Sequence, residues 1–64
     1  MIKVSLETGG NAYINEAKID AMVENEEGTT DIFVDANLCF EVKETPEVII
    51  ERIKAGMFGN ALLQ

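Results

Sequence analysis

The chain reads Phe40-Glu41-Val42-Lys43-Glu44-Thr45-Pro46-Glu47-Val48-Ile49-Ile50-Glu51-Arg52-Ile53 across residues 40–53. Up to Val42 the hydrophobic residues alternate with the two-residue period of a β-strand, and after Pro46 they recur at helical spacing. The Thr45 hydroxyl can accept a hydrogen bond from a first-turn N–H, and Pro46 suits the first position of a helix. The stretch therefore predicts a strand followed by a helix that begins at Pro46.

One face of this helix is predicted to be apolar. Ile49, Ile50 and Ile53 form a stripe that Met57 extends four residues later. Gly56 predicts the end of the helix. Such a stripe has to be buried against another element of the fold.

Short alternating runs precede the helix and predict strands at residues 2–6, 12–14, 19–23, 29–34 and 38–43. Turn signals separate them at residues 8–11, 24–28 and 35–37, and Asn15 can cap one helical turn over residues 16–18. Short connections make neighbouring strands antiparallel. The predicted fold is α+β, a small curled antiparallel β-meander of four or five strands with one C-terminal helix packed on one face.

Strand alternation divides the side chains between two faces of this sheet. We expect the inner face to carry Ile2, Val4, Leu6, Ile14, Ile19, Ala21, Val23, Ile32, Val34, Leu38, Phe40 and Val42. The outer face then carries Tyr13, Met22, Phe33 and Cys39 among charged residues. If these four side chains lie together they predict an interface, and if they are scattered they are ordinary surface.

A chain of 64 residues forms one domain with a marginal core, so self-association would add useful burial. We assign residues 1–56 to the β-meander and helix, and residues 57–64 to an apolar tail. The tail's large apolar side chains are Met57, Phe58, Leu62 and Leu63. They either fold back as extra core or, as we expect, contact a neighbouring subunit of a homo-oligomer.

The composition is acidic, with 12 acidic and 5 basic residues and a net charge of -7. Repulsion from phosphates makes direct nucleic-acid binding unexpected. The acidic surface is expected to keep the protein soluble. The alternative is that it mimics nucleic acid and occupies a basic groove on a partner. The acids are spread along the chain and cluster only at residues 24–27.

The chain offers little for catalysis or cofactor binding. It has no histidine and one cysteine, which excludes an internal disulfide and leaves no set of zinc or iron ligands. Ser5, Tyr13 and Cys39 lack a neighbouring base, and Cys39 is expected to pack as a small apolar residue. We expect no enzymatic activity, no metal and no cofactor.

The first fifteen residues lack the uninterrupted apolar core of a secretion signal, and no run approaches membrane-spanning length. With a single thiol, a reducing cytoplasmic compartment is expected, in a bacterium or in the host of a phage.

A resemblance rests on Met1-Ile2-Lys3-Val4, on Gly10-x-x-Tyr13-Ile14-Asn15 with Ile19 behind it, and on residues 42–53. Over residues 1 to 55 the chain resembles the small FlbD/SwrD-type proteins, short β-meander-plus-helix chains linked to bacterial flagella and similar to many small bacterial and phage proteins. The resemblance implies a non-enzymatic accessory protein. It implies no functional residue.

The functional prediction is a small, acidic, non-catalytic binding protein of bacterial or phage origin that occupies or sequesters a partner. One version is a phage inhibitor of host defence that acts on a protein or on a small signalling nucleotide. The alternatives are a flagellar accessory protein and an acidic nucleic-acid mimic. An anionic ligand would require cations such as Lys3, Lys43 and Arg52, with Tyr13 or Phe33 stacking on a base.

Overall fold

The computed structural model describes the backbone of residues 1–35 and 37–63 and the side chains of residues 1–35 and 37–56. The elements in chain order are β1 (Ile2–Ser5), β2 (Asn11–Ile14), a 3-10 turn (Glu16–Lys18), β3 (Ile19–Glu24), β4 (Thr30–Val34), β5 (Leu38–Val42) and α1 (Pro46–Leu63). The strands are antiparallel and α1 packs on them. The predicted α+β meander with one C-terminal helix is confirmed.

The strands form two sheets that meet at one bridge. β1 pairs with β2, and β4 lies between β3 and β5. Leu6, just after β1, bridges to Val42 at the end of β5. Backbone hydrogen bonds on either side of this bridge join Glu7 N to the Glu41 oxygen at 3.0 Å and Lys43 N to the Ser5 oxygen at 2.8 Å. The end of β1 therefore continues the three-stranded sheet beyond β5.

Glycines with positive φ close two of the three hairpins that the sequence predicts. In the β1–β2 turn Gly9 and Gly10 have φ of 111° and 80°, and Leu6 N donates to the Gly10 oxygen at 3.0 Å. In the β3–β4 turn Gly28 has φ of 90° and its N–H donates to the Asn25 oxygen at 3.0 Å. A side chain at these angles would be strained, so glycine is required there.

The core lies between α1 and the inner faces of the strands. Its buried side chains are Ile2, Val4, Ile14, Ile32, Val42 and Ile49. Thr30 is buried among them and donates its hydroxyl to the Glu44 carbonyl oxygen at 2.6 Å. This bond satisfies the one buried polar side chain in the described part of the chain.

The helix begins where the sequence predicts. Thr45 Oγ1 accepts from Val48 N at 3.4 Å, and the Thr45 carbonyl accepts from Ile49 N at 3.1 Å. The predicted stripe is only partly right, because Ile49 is buried and Ile53 packs on the core while Ile50 is 40% exposed. Ile50 lies 100° around the helix from Ile49, which turns it away from the sheet.

The prediction that α1 ends at Gly56 is wrong, since α1 continues to Leu63. Gly56 does not adopt the positive φ of a helix C-cap, and no proline follows it. A glycine inside a helix costs about 1 kcal/mol relative to alanine, which is too little to end the helix at that residue.

The predicted subunit contacts of Met57, Phe58, Leu62 and Leu63 lie outside the residues whose side chains are described. They stay a prediction. Within the described residues, no helix combines the length and the apolar character needed to cross a lipid bilayer.

Candidate functional site

The face of the three-stranded sheet that points away from the core carries two rows of side chains. Cross-strand register defines them as Ala21, Phe33 and Cys39 in one row, and Val23, Asp31 and Glu41 in the other. These six residues are called the outer face below. The inner face of the same strands carries Met22, Thr30, Ile32, Phe40 and Val42.

The first row is apolar and open to solvent. Phe33 is 37% exposed, and its register partners Ala21 and Cys39 are also exposed. Val23, in the adjacent row, is 49% exposed. Phe33 and Cys39 point outward as the sequence predicts, and the β4–β5 register places them side by side, on the side of the sheet opposite Ile32 and Val42.

The predicted place of Met22 on the outer face is wrong. Met22 pairs with buried Ile32 and packs against the core. The cause is a register shift between Ile19, which pairs with Val34, and Ala21, which pairs with Phe33. The extra residue there, Asp20, reverses the alternation of every later side chain in β3.

The same bulge overturns the prediction that Ala21 and Val23 point inward. Both are exposed and lie on the outer face. Leu38 shares the inner face with Val34 by register, as predicted, but it is 48% exposed. It sits at the first position of β5, at the end of the sheet.

Two carboxylates lie directly opposite each other in the second row. Asp31 pairs in register with Glu41 on the neighbouring strand. Asp31 Oδ1 accepts from Asn25 Nδ2 at 3.2 Å, and Glu41 Oε2 accepts from Thr29 Oγ1 at 2.8 Å. Like charges in this arrangement cost stability. The hydrogen bonds orient both groups but do not neutralise them.

These carboxylates make the outer face electrically negative. Partial desolvation raises the pKa of the Cys39 thiol, and the charges of Asp31 and Glu41 raise it further. The thiol is held in its protonated, poorly nucleophilic form at neutral pH. Cys39 therefore contributes an apolar surface to the outer face rather than a reactive group.

Tyr13 lies apart from this face. It is on β2, in register with Lys3 of β1, and it is 66% exposed on the two-stranded sheet. It points away from the core, as predicted, but β2 does not belong to the sheet that carries Phe33 and Cys39. Of the four residues predicted for the outer face, only Phe33 and Cys39 lie on it together. Met22 packs on the core, and Tyr13 lies on the other sheet.

The three predicted anion contacts are Lys3, Lys43 and Arg52, and all three side chains are exposed. Arg52 is already paired, because its Nη1 donates to Glu44 Oε2 at 2.6 Å and to the Lys3 carbonyl at 2.7 Å. Lys43 lies on β5's continuation, beyond Glu41. Binding of an anion by these side chains stays a prediction.

Glu44 is the acceptor that organises this end of the molecule. Both of its carboxylate oxygens accept from Ser5 N, at 2.9 and 3.0 Å. Burial by itself would raise the pKa of Glu44, but the bonds from Ser5 and Arg52 outweigh burial and lower the pKa overall. Together Glu44 and Arg52 form hydrogen bonds with Ser5 N and the Lys3 carbonyl, at the edge of β1 beyond the end of β5.

The role of this pair is not visible in the sequence, where Arg52 reads as one of several solvated charges on the helix. A partial signal is the position of Glu44 just before the helix cap, where a carboxylate can face both the helix and the preceding strand. In the part of the chain that the structure describes, no group of three acidic, cysteine or histidine side chains could hold a metal ion.

Comparison of the chain with protein-family models, with curated proteins and with solved structures returned no match. The resemblance to the FlbD/SwrD-type proteins therefore stays a prediction.

Proposed function

We propose that this chain is a non-catalytic binding protein that occupies a partner protein through its outer face. The observation that carries the proposal is the exposed apolar row around Phe33, on the side of the sheet opposite the core. The row consists of one aromatic side chain, Phe33, flanked by Ala21 and Cys39, with Val23 beside it. Exposed apolar groups gathered on a strand face are a common feature of protein interfaces.

Energetics support an interface at this position. The core of this short chain holds six buried apolar side chains in the described residues, and Val23 and Phe33 contribute little to it. Covering an aromatic side chain with a partner removes apolar area worth roughly 25 cal/mol per Å². Phe33 sits on the central strand β4 with a strand on each side, so its position is rigid, as suits an anchor residue.

A protein is favoured over a small anionic ligand as the partner. The guanidinium of Arg52 is engaged by Glu44 and by the Lys3 carbonyl, so it would have to break those bonds to bind an anion. The outer face carries carboxylates, which repel phosphates. Its broad, two-row shape also suits a protein surface better than an enclosed small molecule.

The test compares two single substitutions of half-exposed apolar residues. Phe33→Thr removes the anchor with a strand-compatible side chain and no new charge. Val48→Thr is the matched control, because Val48 is 40% exposed on α1, away from the outer face. The immobilised parent and both variants are incubated with lysate of the source cell and with a panel of linear and cyclic nucleotides, and the retained species are identified by mass spectrometry.

We expect the parent and Val48→Thr to retain the same protein and Phe33→Thr to lose it, with unchanged circular dichroism for all three chains. Retention of every species by Phe33→Thr would overturn the proposal. Retention of a nucleotide by the parent, lost on substitution of Lys3 or Lys43, would support the sequestering alternative in its place.

A further inference from the structure

We infer that the partner presents an arginine and an apolar side chain on the same side of an extended segment, separated by one residue. The guanidinium then lies between Asp31 and Glu41 while the apolar group covers Phe33. This inference rests on the proposed function of the outer face and names the chemistry that the face recognises. The occupant is thus a protein segment of positive charge.

The first argument is the uncompensated charge of the second row. Asp31 and Glu41 are register partners on adjacent strands, and neither forms an ion pair with a cation in the described part of the chain. Asn25 and Thr29 each engage one oxygen of one carboxylate, which leaves the other oxygen of each carboxylate free of those bonds. A planar guanidinium can bind two oxygen acceptors at once, and an ammonium group does so less well.

The second argument is the spacing of the two rows. Asp31 and Phe33 are two residues apart on β4, which places their side chains about 7 Å apart on the same face. An extended partner with arginine and an apolar residue separated by one position has the same spacing. The two rows then bind both side chains of such a segment together.

The third argument favours a different protein over a second copy of the chain as the occupant of this face. A copy would bring the same carboxylate pair against Asp31 and Glu41, and each chain carries a net charge of -7. Like-charge contact at an interface opposes association. The self-association predicted for the tail therefore has to use another surface.

The probe is a short peptide of threonine residues that contains one arginine and one phenylalanine, separated by a single threonine. The first control peptide has glutamate in place of arginine. The second has arginine and phenylalanine adjacent, which places them on opposite sides of an extended chain. Binding is followed by amide chemical shifts of the full chain. The protein variants are Asp31→Asn/Glu41→Gln and the charge-matched control Glu47→Gln/Glu51→Gln, whose side chains are exposed on α1.

We expect the arginine peptide to shift the amides of Val23, Phe33 and Cys39, and both control peptides to bind at least about tenfold more weakly. Asp31→Asn/Glu41→Gln should lower the affinity for the arginine peptide by a similar factor. Glu47→Gln/Glu51→Gln should change that affinity less than about twofold.

Equal binding of the arginine and glutamate peptides would overturn this inference, as would shifts confined to the acidic turn at residues 24–28. Self-association of the parent chain through the outer face would also overturn it in favour of a second copy. If the inference fails while Phe33→Thr still loses the partner captured from lysate, the proposed function stands and only the charge of the partner is wrong.

Discussion

Arg52 Nη1 lies 2.6 Å from Glu44 Oε2 and 2.7 Å from the carbonyl oxygen of Lys3. One guanidinium therefore joins α1 to the connection that precedes it and to the edge of β1. Glu44 completes the arrangement by accepting from Ser5 N. The helix is held to the sheet by this polar cluster as well as by the apolar contacts of Ile49.

Loss of the cation from this cluster should destabilise the fold. Arg52→Ala leaves the Glu44 side chain, which is 9% exposed, without its charged partner. We expect a loss of about 2 kcal/mol, below the value for a fully buried pair because Arg52 is itself half exposed. Lys54→Ala, at an exposed position of the same helix, should change stability by less than about 0.5 kcal/mol. Urea denaturation of both variants measures the difference, and equal midpoints would show that the cluster does not stabilise the fold.

The same carboxylate should make stability depend on pH. The pKa of Glu44 is lowered from its ordinary value of 4.5 in the folded chain, so the unfolded chain binds the proton more readily. Its stabilising contribution is complete above pH 4.5 and is lost as the pH falls from there through the folded pKa. Glu44→Gln should therefore show a flatter decline of the denaturation midpoint in acid than the parent. Parallel pH profiles would assign the acid sensitivity to other carboxylates.

The alternation along β3 can be tested at two adjacent residues. Met22 packs on the core whereas Val23 is exposed, so Met22→Ala should cost about 2 kcal/mol and Val23→Ala less than about 1 kcal/mol. Thermal denaturation of the two variants gives the order directly. The reverse order would mean that β3 keeps regular alternation and that Met22 belongs to the outer face.

Local sequence signals were sufficient for most of the fold. Thr45 and Pro46 mark the start of α1, Asn15 caps the turn before β3 through a bond from Ala17 N at 3.1 Å, and glycines mark the β1–β2 and β3–β4 hairpins. Each of these signals acts within a few residues of the chain, which is why it can be recognised without the structure.

The candidate site was harder to predict because it depends on contacts distant in sequence. A single bulge at Asp20 exchanged the faces of Met22 and Val23, and nothing in the local pattern distinguishes a bulged from a regular strand there. The opposition of Asp31 and Glu41 depends on the register of the β4–β5 hairpin. The division of the strands into two sheets, which separates Tyr13 from Phe33, is likewise a property of the assembled fold.

The most direct measurement of the central claim is the dissociation constant of the captured partner for the parent, Phe33→Thr and Val48→Thr, determined by isothermal titration calorimetry. If the outer face is the binding surface, Phe33→Thr should weaken the complex by at least about 30-fold, equivalent to about 2 kcal/mol at an interface anchor. Val48→Thr should stay within about twofold of the parent. Equal dissociation constants for the parent and Phe33→Thr would contradict the account. A larger loss of affinity for Val48→Thr would also contradict it and would place the binding surface on the helix.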